Sequence, residues 1–459
     1  MDKPYFHLPS LAERTHVAVD MRVLRDTRAT ERLNRFMVNW LSVGGDACYH
    51  LLLLAERNAD DAARARQAAF VEEWARLWED GTLLSIRPRT KGRGAAEDMR
   101  QWLRDKDGRP EQALLLTTRR SPFIGAFTGG HGTTCGQWTP ESCDKTGQRA
   151  GFWKLSYTWG RCPGQCVYCY LRAVPGMDLL TVALNLEDMA PEFALLPDDV
   201  LVVNASELGD PVAVDRWFVG PSGEGSLVQD VMDMCAEQAV ASFWLTKSTY
   251  PPYLHVEGRL VHAGVSVNAP EVSAVYEPGA EMPGARVTSL LWMVAGGAID
   301  SVIRFGPFLW QYTHAYQNTV QALAQQTAGH VTRWTLDVPR FSPRMVGLLS
   351  EEGQEALLDG IEAGVGKHRW KVWMQNTVYA SVRAWLDVAG ANDVQVTACK
   401  ADPNEAQTWC DAGYIVSGPC ACHLSDNAKA VVLNRRAELR AVKLRHAGNL
   451  QHAGEEGIQ

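Results

Sequence analysis

From about residue 151 onward, short β-rich runs alternate with longer helical patterns. The runs are Trp153–Thr158, Val200–Asn204, Phe243–Thr246, Val261–Val267, Val302–Phe305 and Thr332–Val338; between them lie helical stretches such as Leu227–Ala239, Ala285–Gly296 and Tyr316–Ala328. This alternation leaves little choice of architecture. A strand that returns to its sheet through a crossover helix pairs in parallel. Six such units predict an α/β fold, a partial (β/α)6 barrel over 151–340. In that architecture the chemistry-bearing side chains sit where strands end.

The flanks read differently. Residues 1–150 are expected to be a mainly helical extension. Thr30–Leu41 is helical in character, and Ala62–Trp78 carries Phe70, Trp74, Leu77 and Trp78 as one stripe, with Asn58 or Asp60 as its cap. The stretch Ser121–Gln148 is rich in Gly, Thr and Pro, shows no periodicity and holds His131, Cys135 and Cys143. Residues 341–459 form a third part. It has a helix near Thr377–Val388, a strand near Val394–Cys399, a cysteine-bearing loop and a basic helix-like segment, Lys429–His446.

With 459 residues, 46% of them hydrophobic and 21% charged, the chain has the composition of a folded globular protein. Its net charge of -8 excludes a basic nucleic-acid binder as a whole. Local basic surfaces remain at Arg87–Arg93, Arg119–Arg120 and Lys429–Arg445. No apolar run reaches the roughly 18 residues of a membrane span, and the first residues lack the apolar run of a signal peptide. The expected compartment is the cytoplasm, with no membrane partner. In a reducing compartment, clustered cysteines favour metal over disulfides.

Three of the eleven cysteines fall in one tight loop: Cys162-Pro163-Gly164-Gln165-Cys166-Val167-Tyr168-Cys169-Tyr170. The loop follows directly on a predicted strand. Three thiolates there can hold three irons of a [4Fe–4S] cluster, leaving the fourth iron open for a small molecule. Zinc, which wants four ligands, and three unrelated cysteines are the alternatives. A second group, Cys399, Cys410, Cys420 and Cys422 with His423, is a possible further metal or iron–sulfur site, although its spacings match no metal motif.

The C-x3-C-x-aromatic-C loop after the first barrel strand resembles the signature of radical S-adenosylmethionine (SAM) enzymes. The longer string Cys166-Val-Tyr-Cys-Tyr-Leu171 resembles the spore photoproduct lyase branch of that superfamily. So do Asn204-Ala-Ser-Glu-Leu-Gly-Asp210, Leu245-Thr-Lys247, Val265-Ser-Val-Asn268, Tyr276-Glu-Pro-Gly279 with Arg286, and Arg304-Phe-Gly-Pro307. The likeness covers roughly residues 150 to 400.

The resemblance implies an enzyme of lyase or isomerase type that cleaves SAM reductively at the cluster. The 5′-deoxyadenosyl radical so formed takes hydrogen from a substrate. An external one-electron donor, flavodoxin- or ferredoxin-like, is implied as a partner. The resemblance assigns Cys162, Cys166 and Cys169 to the cluster, and Tyr168 to the SAM adenine. It assigns Lys247 and Ser266 to the SAM carboxylate, with Asn268 at the same level, and Ser206 and Glu207 to the ribose or amino group. Tyr170 matches a tyrosine implicated in hydrogen transfer. From the residues themselves, Asp210 reads as a helix cap or a ligand contact, and Arg304 needs either a substrate anion or a barrel carboxylate.

One departure matters. The family's repair enzymes return hydrogen from a cysteine near the second-strand motif, and Leu201–Asp215 contains none. The substrate implied is therefore a pyrimidine in DNA or a nucleotide, for thymine modification or rearrangement rather than simple dimer repair. Two other readings stand beside it: radical chemistry on a peptide or small metabolite, and a non-catalytic iron–sulfur or zinc protein that binds nucleic acid.

Overall fold

The structure, a computed structural model, describes residues 9–43, 49–75, 83–91, 94–119, 122–127, 152–338, 340–341, 343–347, 361–363, 368–399, 403–416 and 423–456. Among them no helix is long and apolar enough to cross a membrane.

The first four strands, β1 (His16–Asp20), β2 (His50–Ala55), β3 (Leu83–Pro88) and β4 (Ala113–Thr117), are joined by the helices Thr27–Ser42, Asp61–Ala75 and Ala95–Asp105. They form one parallel sheet in the order β3-β2-β1-β4. This corrects the expectation of a mainly helical extension. The reason is physical. Every residue of β1 and β4 is buried, as are the four central leucines of β2. A strand covered on both faces loses the alternation that betrays a half-buried strand, and reads like a piece of buried helix. The expected helices are found as Thr27–Ser42 and Asp61–Ala75, Leu77 and Trp78 of the second stripe lying outside the described residues. Asp26 caps Thr27–Ser42 through the Ala29 N–H at 2.6 Å, and Asp60 caps Asp61–Ala75 through the Ala63 N–H at 2.7 Å.

The chain then moves between two sheets. Strands β5 (Ile124–Phe127) and β6 (Phe152–Leu155) start a second sheet as an antiparallel pair. Strands β7 (Thr158–Trp159) and β8 (Leu180–Ala183) return to the first, β8 lying parallel beside β4. The second sheet continues through β9 (Val202–Asn204), β10 (Ala241–Thr246), β11 (Val261–Val267), β12 (Asp300–Phe305) and β13 (Arg333–Leu336). After the short antiparallel strands β14 (Arg340–Phe341), β15 (Ile361–Ala363) and β16 (His368–Trp370), it gains β17 (Gln395–Ala398). Its order is β5-β6-β9-β10-β11-β12-β13-β17, parallel from β6 onward. The architecture is mixed α/β with two mostly parallel sheets.

Helices Leu227–Glu237 and Pro283–Ala295 pack on this second sheet, and Thr313–Thr327 packs against Pro283–Ala295 and Val372–Val388. All seven residues of β11 are buried, so the strand sits at the centre of the core. The basic segment is the long helix Asp426–Glu456. Part of its charge is structural. Arg436 donates to the carbonyls of Ala239 at 2.9 Å and Asp198 at 2.5 Å, and to that of Val200, while Arg440 pairs with Asp198 at 2.8 Å.

Candidate active site

The C-terminal ends of β9 to β13 open into one cavity of about 600 Å³. Cys162, Cys166 and Cys169 stand on its wall, with Ser206, Lys247 and Arg304 among the other lining residues. Ligand sites of parallel sheets lie at these strand ends because the connecting loops are free to vary there.

Glycines shape the cysteine loop. Gly160 has φ +95°, and a Cβ there would meet the Leu179 carbonyl at 1.9 Å. The loop closes on itself through the Cys169 N–H to the Cys166 carbonyl at 3.1 Å. It is then clamped by the segment after helix Pro270–Tyr276. The Val167 N–H donates to the Tyr276 carbonyl at 2.9 Å, and the Gly279 N–H to the Gly164 carbonyl at 3.2 Å. A Cβ on Gly279 would lie 2.0 Å from the Pro163 carbonyl oxygen.

The loop fits an iron–sulfur cluster. A Cβ on Gly164 would stand 3.6 Å from the Cys162 Sγ and 3.7 Å from the Cys166 Sγ, so the missing side chain leaves the space beside both thiols clear. Burial pushes the Cys162 thiol up to about 12, and raises Cys166 and Cys169 as well. Such thiols ionise by giving their protons up to a metal. Among the described residues no three Cys, His, Asp or Glu side chains form a group suited to one metal ion. A four-iron cluster makes a different demand, since each thiolate takes a separate iron.

Glu277 lies in that clamp and joins the cysteine loop to Lys247. Its Oε1 accepts from the Lys247 Nζ at 2.7 Å and from the Tyr168 hydroxyl. Its Oε2 accepts from Arg286 Nη2 at 2.6 Å and Ser273 Oγ at 2.9 Å. Burial alone would raise this carboxyl; the Lys247 and Arg286 charges outweigh it and hold Glu277 at about 2. Asp210 fixes the start of the same loop. Its Oδ2 accepts the Lys247 N–H at 2.9 Å and the Thr246 hydroxyl at 2.9 Å, and its Oδ1 caps helix Pro211–Asp215 through the Ala213 N–H at 3.2 Å. The residue is therefore a cap and a strand-end anchor together.

The expected residues divide. Tyr168, Tyr170, Ser206, Glu207, Lys247 and Ser266 all line the cavity with the cysteines. Lys247 reaches it already paired with Glu277. Ser206 Oγ is held by the Leu245 N–H at 3.0 Å, and the Tyr170 hydroxyl donates to Glu207 through its carbonyl at 2.5 Å and its Oε1 at 3.1 Å. Asn268 is not part of the lining. It is fully buried, its amide donating to the Pro307 carbonyl at 3.3 Å and its Oδ1 accepting the Ala269 N–H at 3.1 Å. Its side chain also hydrogen-bonds to Tyr168, so it supports a lining residue. Arg304 has a carboxylate at the next strand end as partner, Asp337 at 2.6 Å.

Glu277, Arg286 and Asp337 had no role in the sequence reading. The first two lie in the Tyr276–Gly279 and Arg286 motifs, and Asp337 lies in a predicted strand; each is an acid or base in an apolar context, which was the available signal. The second metal site is not supported. Cys399 is buried after β17 and Cys410 is on helix Pro403–Asp411, while Cys420 and Cys422 lie outside the described residues, as do His131, Cys135 and Cys143. Among the described residues, the cluster loop supplies every thiol on the cavity wall; Cys235 is packed in the core on helix Leu227–Glu237.

No protein-family model matches the sequence, and no curated protein matches it. Solved structures do match. A cysteine-to-alanine mutant of spore photoproduct lyase with dinucleoside spore photoproduct superposes with TM-score 0.55 at 13% identity, covering 84% of this chain and 97% of that one. A cysteine-to-serine mutant of the same enzyme gives 0.54 at 13% identity over the same shares. A double mutant with bound AdoMet and dinucleoside spore photoproduct gives 0.51, again at 13% identity and the same coverage. The order of strands, the clamped three-cysteine loop at their ends and these superpositions converge on one architecture: the chain has the fold of spore photoproduct lyase.

Proposed function

We propose that the chain is a radical SAM enzyme that acts on a pyrimidine, in DNA or in a nucleotide, by a reaction other than simple dimer repair. One observation carries the reading. Three cysteines, on a loop clamped by the Tyr276–Gly279 segment, share a cavity with Lys247, itself paired with Glu277, in a fold otherwise seen holding AdoMet and a dinucleoside.

Cys162, Cys166 and Cys169 would hold a [4Fe–4S] cluster. With SAM bound, that group supplies a 5′-deoxyadenosyl radical. The protein does the rest. Glu277 fixes the Lys247 ammonium at the cavity wall, where its remaining protons face an anionic group. Tyr168 is locked by the same carboxylate and presents its ring beside Lys247, 5.4 Å from Nζ to centroid. Ser206, held by the Leu245 N–H, and Ser266 offer polar contacts at the ends of β9 and β11, on either side of β10. A cavity of about 600 Å³ is within the range of cofactor and substrate sites. Tyr170, with its hydroxyl on Glu207, would return a hydrogen to the substrate radical in place of the missing cysteine. The Arg304–Asp337 pair borders the same space.

Anaerobic reconstitution with iron, sulfide, dithionite and SAM tests the reading. The expected product is 5′-deoxyadenosine, formed faster when pyrimidine-containing DNA or dinucleotide is added. Absence of 5′-deoxyadenosine would remove the enzyme reading. Its formation unaffected by any nucleic acid, but stimulated by peptides, would move the substrate class.

A further inference from the structure

The cysteine loop also meets the residues before β1, Gln165 donating to Glu13 Oε2 at 3.2 Å, beside a charge that the site has not yet used. Arg14 precedes β1 and is 1% exposed. Its Nη1 donates to the backbone carbonyls of Glu111 and Ala113, the latter at 3.3 Å. Its Nε is buried with no hydrogen-bond partner, and the guanidinium lies 6.0 Å from the Trp217 ring centroid. Among the described residues, no carboxylate stands within ion-pair distance of it.

Neighbouring cations are treated differently. Arg161, next to Cys162 in sequence, is neutralised by the Glu111 carboxylate. Arg172 is half-buried, within reach of water, and donates to the Val167 carbonyl at 3.2 Å. Arg14 alone of the three is fully buried without a counter-ion. Burial lowers it only to about 10, so it stays charged at neutral pH. Glu111, whose carbonyl accepts from Arg14, holds Arg161 beside Cys162 through its carboxylate, so one residue joins Arg14 to the cysteine loop. A buried charge left unpaired is costly, and such groups normally have a partner. A thiolate-bound cluster on the loop that Glu111 joins to Arg14 is chemistry able to serve.

We propose that Arg14 is the counter-cation of the iron–sulfur centre, a positioning residue through which the first sheet favours the reduced cluster. This rests on the reading of Cys162, Cys166 and Cys169 as cluster ligands. Reduction adds one electron and one negative charge, and breaks no bond. A fixed cation in a dry site stabilises that added charge more than one in water.

The test uses the full chain, reconstituted anaerobically without SAM and titrated with dithionite against redox mediators, the reduced cluster being followed by electron paramagnetic resonance. Arg14→Met should shift the reduction equilibrium against the reduced cluster at least tenfold, about 59 mV for one electron. Arg14→Lys should stay close to the native potential. Thermal midpoints add a second reading. Without cluster, Arg14→Met should be as stable as the native chain or more so, because it removes an unpaired charge. On cluster loading it should gain less than the native chain gains. An unchanged potential in fully loaded Arg14→Met overturns the proposal, as does its loss of folding or stability in the cluster-free state. If the native chain binds no cluster, the cysteine reading fails and the role of Arg14 falls with it.

Discussion

Arg286 and Glu277 form an ion pair at 2.6 Å in which both side chains are completely buried. Lys247 joins the same carboxylate from the cavity side with 19% of its side chain exposed. The two cations therefore have different tasks. Arg286 also donates to the carbonyls of Ser266 at 2.7 Å and Glu281 at 2.6 Å, so it ties β11 to the clamp on the cysteine loop. Lys247 lines the cavity.

Substitution should separate those tasks. Glu277→Gln strands Arg286 in the core, and removing one partner of such a pair costs roughly 3–5 kcal/mol. A lowered urea midpoint is the expected result. Lys247→Ala keeps the buried pair, so fold and iron content should hold. SAM affinity should fall tenfold or more, the loss of a hydrogen bond to a charged group being worth roughly 1.5–3 kcal/mol. Calorimetric titration of SAM into the reconstituted variant checks this, and native affinity would assign Lys247 to Glu277 alone.

Gly279→Ala should act on the cluster without unfolding the protein. The new methyl meets the Pro163 carbonyl at 2.0 Å, so the cysteine loop or its clamp must move. The expected outcome is a large drop in iron per chain after reconstitution, with far-ultraviolet circular dichroism unchanged. Full iron content would show that the clamp is not needed to hold the loop.

Stability should fall in mild acid through the histidines of the first sheet. His16 stacks on His50 at 4.6 Å and meets the edge of Trp102 at 5.6 Å. Burial, and then the charge of His50, lower His16 to about 4. An unfolded histidine titrates near 6.5, so between these values the unfolded chain binds the extra proton. The contribution is complete above about pH 6.5 and is lost as pH falls through about 4, roughly 3 kcal/mol in all at 1.36 kcal/mol per pH unit. Urea midpoints of the cluster-free chain at pH 7.5, 6 and 5 should decline steadily. His16→Leu should flatten that decline, and a parallel decline would place the effect elsewhere.

Dimer repair should be poor. A thiol is the natural hydrogen donor to a product radical because its S–H bond is weak, and the described cavity wall offers only the cluster's own. With reduced enzyme, SAM and the dinucleotide spore photoproduct, SAM cleavage should proceed while intact thymidine pairs accumulate little. Clean release of two thymidines at the rate of SAM cleavage would sink this expectation.

How far the sequence reaches can be judged residue by residue. Val261–Val267 was legible to its ends, because a valine-rich run bounded by turns has few other uses. The cysteine loop was legible because its spacing is short and local. β1 to β4 were not, since continuous apolar runs such as Leu51–Leu54 carry no period. Arg14 was invisible for another reason. Its meaning depends on Glu111, Ala113 and Cys162, about a hundred residues or more away, and no local pattern records a contact made only by folding.

The exchange of strands between the two sheets has a consequence for synthesis. β5 and β6 belong to the second sheet, yet β7 and β8 then return to the first. The first sheet therefore cannot finish assembling on the ribosome before residue 183 has emerged, by which point the second has already begun. A fragment ending near residue 150 would leave β4 with a bare edge, and one starting there would carry β8 joined only to the two-residue β7. Unpaired edges of this kind recruit other chains. Expressed as separate halves, this protein should precipitate, and the two sheets are best regarded as one cooperative unit of folding.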